Sequence, residues 1–240
     1  MEWRDRGILL STRKHGETSA IIEVFTPLHG RHLGVVRAGT SRKLAPILQP
    51  GAQLDVTWRA RLDDHIGTFN VELLRSRSAI AISNRLALAG LNAVVAILRL
   101  VLPEREAMGK FYTATEQLLD LLDQQDIFPL IYLKWEMLLL EIMGYGLDLR
   151  SCAVTGKTTD LGYISPKSGH AVSTQGAGHW VDRLLPLPAV MIGKETPNKA
   201  ELLEALKVTG FFIENHLFKG LGMESSPASR TRLLELIKTI

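Results

Sequence analysis

One cysteine, Cys152, occurs in 240 residues, so no intramolecular disulfide can form. Such a chain suits a reducing compartment. Aromatic residues are scarce at 6%. Three of them, Phe25, Trp58 and Phe69, fall on apolar faces and are expected in the core rather than stacked on bases. No apolar run reaches the roughly 20 residues that span a bilayer. The longest, Leu86 to Leu102, is interrupted by Asn92 and Arg99 and ends at Pro103, which reads as a buried helix. The first residues, Met-Glu-Trp-Arg-Asp-Arg, lack the apolar stretch of a signal peptide. A cytoplasmic location with no membrane partner is therefore expected.

Motifs for chemistry are equally sparse. Gly156-Lys157-Thr158 ends like a phosphate-binding loop, but Ser151 stands where that loop needs its first glycine. The seven histidines show no paired metal spacing. Cys152 has no local nucleophile signature, with His170 and His179 the nearest bases. Asp63-Asp64 reads as a hairpin turn, where Asp is favoured for its backbone hydrogen bonds. Asp120, Asp123 and Asp126 read as a solvated helix face without the ligand density of a cation site. The chain is expected to be no enzyme and to need no cofactor or metal.

What it does have is a basic N-terminal third. Up to Ser78 there are 12 Arg and Lys against 8 Asp and Glu, and afterwards 16 against 17. No carboxylate lies between Phe25 and Gln53, where Arg31, His32, Arg37, Arg42 and Lys43 cluster around a short apolar strand. A basic loop on a β-module suits a polyanion. Short strands are predicted at Gly7–Thr12, Ala20–Phe25 and Leu33–Arg37. Period-two alternation marks two more, at Leu54–Ala60 and Phe69–Leu73. Arg59 and Arg61 share the face opposite Val56 and Trp58, about 7 Å apart if both lie on the strand. Five strands in under eighty residues suggest a small closed barrel of the oligonucleotide-binding type. The candidate DNA-binding set is Arg13, Lys14, Arg31, His32, Arg37, Arg42, Lys43, Arg59 and Arg61.

From Ser78 onward the pattern is helical. Asn84 is placed to cap a helix that runs to Leu102. An amphipathic helix is expected over Ala107–Leu122, and another from Pro129 through Leu140 until Gly144. Residues 148–180 turn polar and glycine-rich, with a hairpin pairing Tyr163–Ser165 with Ala171–Ser173. A helix is predicted over Lys199–Phe218, and a last one from Pro227 to Ile240 with Ser226 as its cap. The fold class is α+β with two domains: a five-stranded OB-fold β-barrel at 1–78 and an all-α helical domain at 79–240.

Gly7-Ile8-Leu9-Leu10, His15-Gly16-Glu17-Thr18-Ser19, Gly30-Arg31, Arg37-Ala-Gly-Thr-Ser-Arg-Lys43 and Leu48-Gln49-Pro50-Gly51 resemble the RecO family of bacterial recombination mediators. The likeness continues through Gly144–Leu149, Cys152–Gly156 and Ser165–Gly169. It implies a mediator that binds single- and double-stranded DNA, anneals complementary strands and promotes RecA loading on DNA coated with single-strand-binding protein (SSB). RecR, the SSB C-terminal tail and, indirectly, RecA are the implied partners, and the location is the nucleoid. It also implies a zinc-finger-like insert at 148–180. The four cysteine positions of that insert match Cys152, Thr155, Ser173 and Gly176 here, so the zinc ligands are lacking and a metal-free insert is expected. A different site built from Cys152, His170 and His179 is the alternative for a metal. The alternative function is an interaction scaffold whose helical domain binds an acidic partner tail, with Arg99, Lys110 or Lys134 at the groove, while the barrel binds RNA or protein.

Overall fold

The computed structural model describes residues 1–62, 65–193, 197–223 and 226–239. The chain divides into two compact units, Met1–Asp123 and Gln124–Ile240. The Asp63-Asp64 turn lies outside the described residues.

In the first unit, β1 (Glu2–His15), β2 (Ser19–Thr26), β3 (Gly30–Val36), β4 (Gln53–Arg59) and β5 (Thr68–Arg75) close into a barrel in the order β1-β2-β3-β5-β4. Every pairing is antiparallel except β3 with β5, where Val35 meets Thr68. β1 serves both ends of the sheet. Its first half pairs with β4 and its second with β2, with a register shift between Leu9 and Ser11. It is more than twice the length expected from its apolar centre, because Arg4, Arg6, Arg13 and Lys14 are ladder residues with exposed side chains.

β2 is buried on both faces. Ala20, Ile22 and Val24 join Leu54, Val56, Trp58 and Phe69 inside the barrel. Phe25 faces the other way, with its ring 5.4 Å from Tyr112 and 6.3 Å from Phe111. Those two rings belong to α3 (Gly109–Asp120), one of three helices after the barrel, with α1 (Ser78–Ser83) and α2 (Arg85–Val101). α2 starts where its cap predicts. Asn84 Oδ1 accepts from Leu86 N at 2.9 Å and Ala87 N at 3.3 Å.

The strand-to-helix change falls at Ser78, yet the compact unit continues to Asp123 because α2 packs on β1 and α3 on β2. Asp120 is central to that docking. It takes the guanidiniums of Arg75 and buried Arg77, and Arg77 also donates to Gly51 O at 2.7 Å. Burial raises the Asp120 carboxyl, but the hydrogen bonds from Arg77 and Arg75 outweigh it and hold it below its ordinary range. What reads as a solvated helix face is therefore an anchor at this residue.

The turn into β3 depends on Gly30. Its φ is +66°, and a Cβ there would lie 2.1 Å from Glu106 O. Gly30→Ala is expected to cost ~1–2 kcal/mol for the left-handed backbone and about 1–3 kcal/mol more for the backbone collision. Gly16→Ala, at φ +62° with nothing within 4 Å, should show the conformational part alone. Denaturant unfolding of the two variants checks this; equal losses would remove the collision from the account.

The second unit holds α4 (Phe128–Ile142), β6 (Leu161–Ile164), β7 (Ala171–Ser173), α5 (Thr174–Ala177), β8 (Leu185–Pro186), α6 (Lys199–Phe212) and α7 (Ala228–Ile237). The expected hairpin is β6 with β7, extended by β8 into a three-stranded sheet. α6 runs on as a π-helical segment over Ile213–Phe218, so helix spans the predicted Lys199–Phe218. Ser226 does not cap α7. Its buried Oγ finds no partner among the described residues, and Pro227 directly precedes the helix. An ion pair inside the core ties α7 to α4. Arg230 donates to Glu136 through Nε at 2.7 Å and Nη2 at 2.9 Å, and Thr209 Oγ1 donates to the same carboxylate at 2.5 Å.

Candidate nucleic-acid interface

Strand register brings one group of cations to a single end of the barrel. Arg13 pairs with Ile21 and Lys14 with Ala20, while Ile21 and Ala20 pair on their other side with Val35 and Val36. Arg37, directly after Val36, therefore lies across β2 from Arg13 and Lys14, roughly 10 Å away by strand spacing. The segment that follows is fixed by Thr40. Its amide and hydroxyl both donate to Thr18 O, at 3.1 and 2.9 Å, tying it to the β1–β2 turn. Ser41 then opens a run of tight turns. Its hydroxyl accepts from Leu44 N at 3.3 Å and its carbonyl from Ala45 N at 2.9 Å, which leaves Arg42 and Lys43 exposed between them. Beside them is a cleft of about 330 Å³ lined by Thr12, Lys14, Gly39, Thr40, Leu48 and Gln49.

Arg13, Lys14, Arg37, Arg42 and Lys43 are all exposed, and none is ion-paired among the described residues. The other barrel arginines differ. Arg4 holds Asp55 at 2.6 Å, Arg6 reaches Glu116 at 3.5 Å, and Arg59 holds Glu2 at 2.7 Å. Arg31 and Arg99 share Glu23, at 2.5 and 2.8 Å. Burial raises the Glu23 carboxyl, and hydrogen bonds from Arg99, Arg31 and Ser11 more than reverse this, so it stays ionised below its ordinary range.

This geometry redistributes the expected set. Arg31 is partly buried and structural, because it also donates to Leu102 O at 2.8 Å and lies 3.6 Å from Glu104. The absence of nearby carboxylates in sequence is misleading for it, since Glu23 and Glu104 arrive from other elements. His32 is 5% exposed. Its Nδ1–H donates to His29 O at 2.7 Å, and its ring sits edge-on to Trp3 and Trp58, at 5.0 and 5.5 Å. It is a core residue, out of reach of a phosphate. Arg61 lies beyond β4, so the strand spacing expected between it and Arg59 does not hold. Trp58 and Phe69 are buried in the barrel, as expected from their apolar faces. Thr40, which fixes the basic segment, carries no charge, and in sequence only its place in the Arg37–Lys43 motif marks it.

The insert does not fit zinc. Cys152, Thr155, Ser173 and Gly176 supply one thiol, two hydroxyls and no fourth side chain. Among the described residues no three His, Cys, Asp or Glu side chains are grouped to hold a metal, so His170 and His179 do not complete a site with Cys152.

Two family models cover the chain: Recombination protein O N terminal matches residues 1–77, and Recombination protein O C terminal matches residues 82–224. The chain belongs to the RecO family. RecO relatives match it almost end to end. The DNA repair protein RecO of Roseobacter denitrificans is 62% identical over 235 residues, 98% of each chain. That of Ruegeria sp. is 58% identical over 237 residues, 99% of this chain and 98% of the relative. RecO membership places the protein in DNA repair and recombination. Among the described residues no helix is long and apolar enough to cross a membrane.

Proposed function

We propose that this protein is a recombination mediator that works on nucleoid DNA without covalent chemistry. It binds single- and double-stranded DNA at the basic end of its barrel, anneals complementary strands and, with RecR, promotes RecA loading on SSB-coated DNA. The observation that carries this reading is the segregation of charge. Seven arginines of the first unit are spent on carboxylates, while Arg13, Lys14, Arg37, Arg42 and Lys43 stand exposed together at one end. The strand order and the parallel β3–β5 closure fit the oligonucleotide-binding fold, whose loops carry the ligand. With its aromatic rings buried, such a surface reads phosphates rather than bases, so binding is salt-sensitive and tolerant of sequence. Annealing follows from screening, because two strands held against the same cations repel each other less.

A second reading adds a partner to the helical region. A cleft in the second unit is lined by Lys134, Met137, Leu138, Glu141, Leu147, Val190 and Met191, mostly apolar with Lys134 and Glu141 as its charged residues. Its apolar side chains and Lys134 suit an acidic peptide with an apolar end, the chemistry of the SSB tail, while Glu141 sets a limit on how much acid it accepts. Arg99 is not available for that task, since it is bound to Glu23.

Annealing of complementary oligonucleotides across a salt series tests both readings. Naked strands should anneal faster with the protein at low salt, with the gain lost between about 0.05 and 0.2 M. A gain indifferent to salt would count against phosphate binding. Strands coated with intact SSB should anneal, and strands coated with SSB lacking its acidic tail should anneal more slowly. Equal rates on the two coats would remove the cleft from the proposal.

A further inference from the structure

Two pairs of positions, each three residues apart, converge in the second unit. Cys152 is 2% exposed, packed with Val172 and Ala177. Its Sγ accepts from Ser173 N at 3.1 Å, Ser173 Oγ at 3.3 Å and Thr155 N at 3.4 Å. Ser173 Oγ in turn accepts from Gly176 N at 3.1 Å. A Cβ on Gly176 would lie 3.0 Å from Sγ and 3.1 Å from Ser173 Oγ. Positions 152, 155, 173 and 176 thus meet at one point, as the four ligands of a tetrahedral metal would, with one sulfur among them.

We propose that the insert is a metal-finger scaffold in which the Cys152 sulfur, as a hydrogen-bond acceptor, has replaced the ion as the common tie between the two turns. Proton counting gives the network a direction. Ser173 has a single hydroxyl proton and directs it to Sγ, so at the 3.4 Å contact between Thr155 Oγ1 and Ser173 Oγ the proton comes from Thr155. Lys157 N donates to Thr155 Oγ1 at 3.4 Å, completing a chain of donors that ends on sulfur. Burial pushes the Cys152 thiol up, but the Ser173 and Thr155 hydrogen bonds outweigh it and bring it down to about 6.

Two consequences separate this arrangement from an ordinary buried cysteine. First, the scaffold should still accept a metal when its sulfurs are restored. The full chain carrying Thr155→Cys, Ser173→Cys and Gly176→Cys should retain one zinc through dialysis and, loaded with cobalt(II) instead, show the visible bands of tetrahedral thiolate coordination. The wild-type chain should do neither. Second, in the wild-type chain the amides of Thr155 and Ser173 should be protected from hydrogen exchange by the sulfur. Cys152→Ala should lower that protection at least tenfold while the barrel amides keep theirs. Stoichiometric zinc in the wild-type protein would overturn the proposal. So would unchanged Thr155 and Ser173 exchange in Cys152→Ala, or a folded triple variant that binds no metal. If the triple variant does not fold, the exchange measurement decides the matter alone.

Discussion

Replacing Arg42 and Lys43 together by alanine should weaken DNA binding ten- to thirtyfold at 0.15 M salt and reduce the salt slope by about 1.4 to 1.8. The magnitude follows from counterion release. Each phosphate contact contributes about 0.7 to 0.9 to the slope of log affinity against log salt, depending on whether the DNA is single- or double-stranded. Extrapolated from 1 M to 0.15 M, that is roughly four- to fivefold per contact. Neither side chain has an ion-pair partner among the described residues, so nothing in the fold offsets the loss. Extending the change to Lys14 and Arg37 should take binding below detection at physiological salt. The informative control removes as many charges from the same barrel: Arg4→Ala with Arg59→Ala. Both residues are exposed but already neutralised, by Asp55 at 2.6 Å and Glu2 at 2.7 Å. Less than a twofold change is expected there. Equal losses in the two double variants, read by fluorescence anisotropy across a salt series, would mean that total charge matters and its placement does not.

The contrast also shows where sequence reasoning succeeds on this chain. Helix α2 is legible because its signals are local: Asn84 caps it, Pro103 stops it, and a mostly apolar stretch broken only by Asn92 and Arg99 lies between. The β6–β7 hairpin is legible for the same reason. β1 is not, because half of its ladder consists of charged residues whose pairing partners lie some fifty residues away on β4. The basic cluster is legible as charge but not as available charge. Arg31 and Arg42 look alike in sequence. Only the fold brings Glu23 from β2 and Glu104 from beyond α2 to the first and none to the second. His32 fails for a related reason. On β3 buried and partly buried residues alternate, and His32 takes a buried position among Trp3, Trp58 and His29. Asp120 looks like its solvated neighbour Asp123 in sequence, and only the fold brings the Arg77 guanidinium to it.

Charge buried in the second unit should behave in the opposite way to charge exposed on the barrel. Glu136 is fully buried and Arg230 nearly so. Glu136→Ala leaves the guanidinium inside with Leu206 O, at 2.8 Å, as its remaining acceptor among the described residues. A loss of about 3–5 kcal/mol is expected, the usual cost of stranding one member of a buried pair. Arg230→Ala should cost as much, because it leaves the carboxylate with Thr209 as its remaining hydrogen-bond donor among the described residues. Removing both charges while keeping volume, as Glu136→Leu with Arg230→Met, should return most of that stability, since the pair must offset its own desolvation before it contributes anything. The shape of the site favours the guanidinium: a Cβ on Gly210 would lie 2.6 Å from Arg230 Nη1. Segment-resolved hydrogen exchange in denaturant would follow α4, α6 and α7 directly. A double variant as unstable as either single one would show that the pair supplies specific hydrogen bonds apolar packing cannot replace. The DNA salt slope provides the cross-check. It should fall in the Arg42 and Lys43 variant with stability unchanged, and hold in Glu136→Ala with stability reduced, because one set of charges faces phosphate and the other faces only its own core.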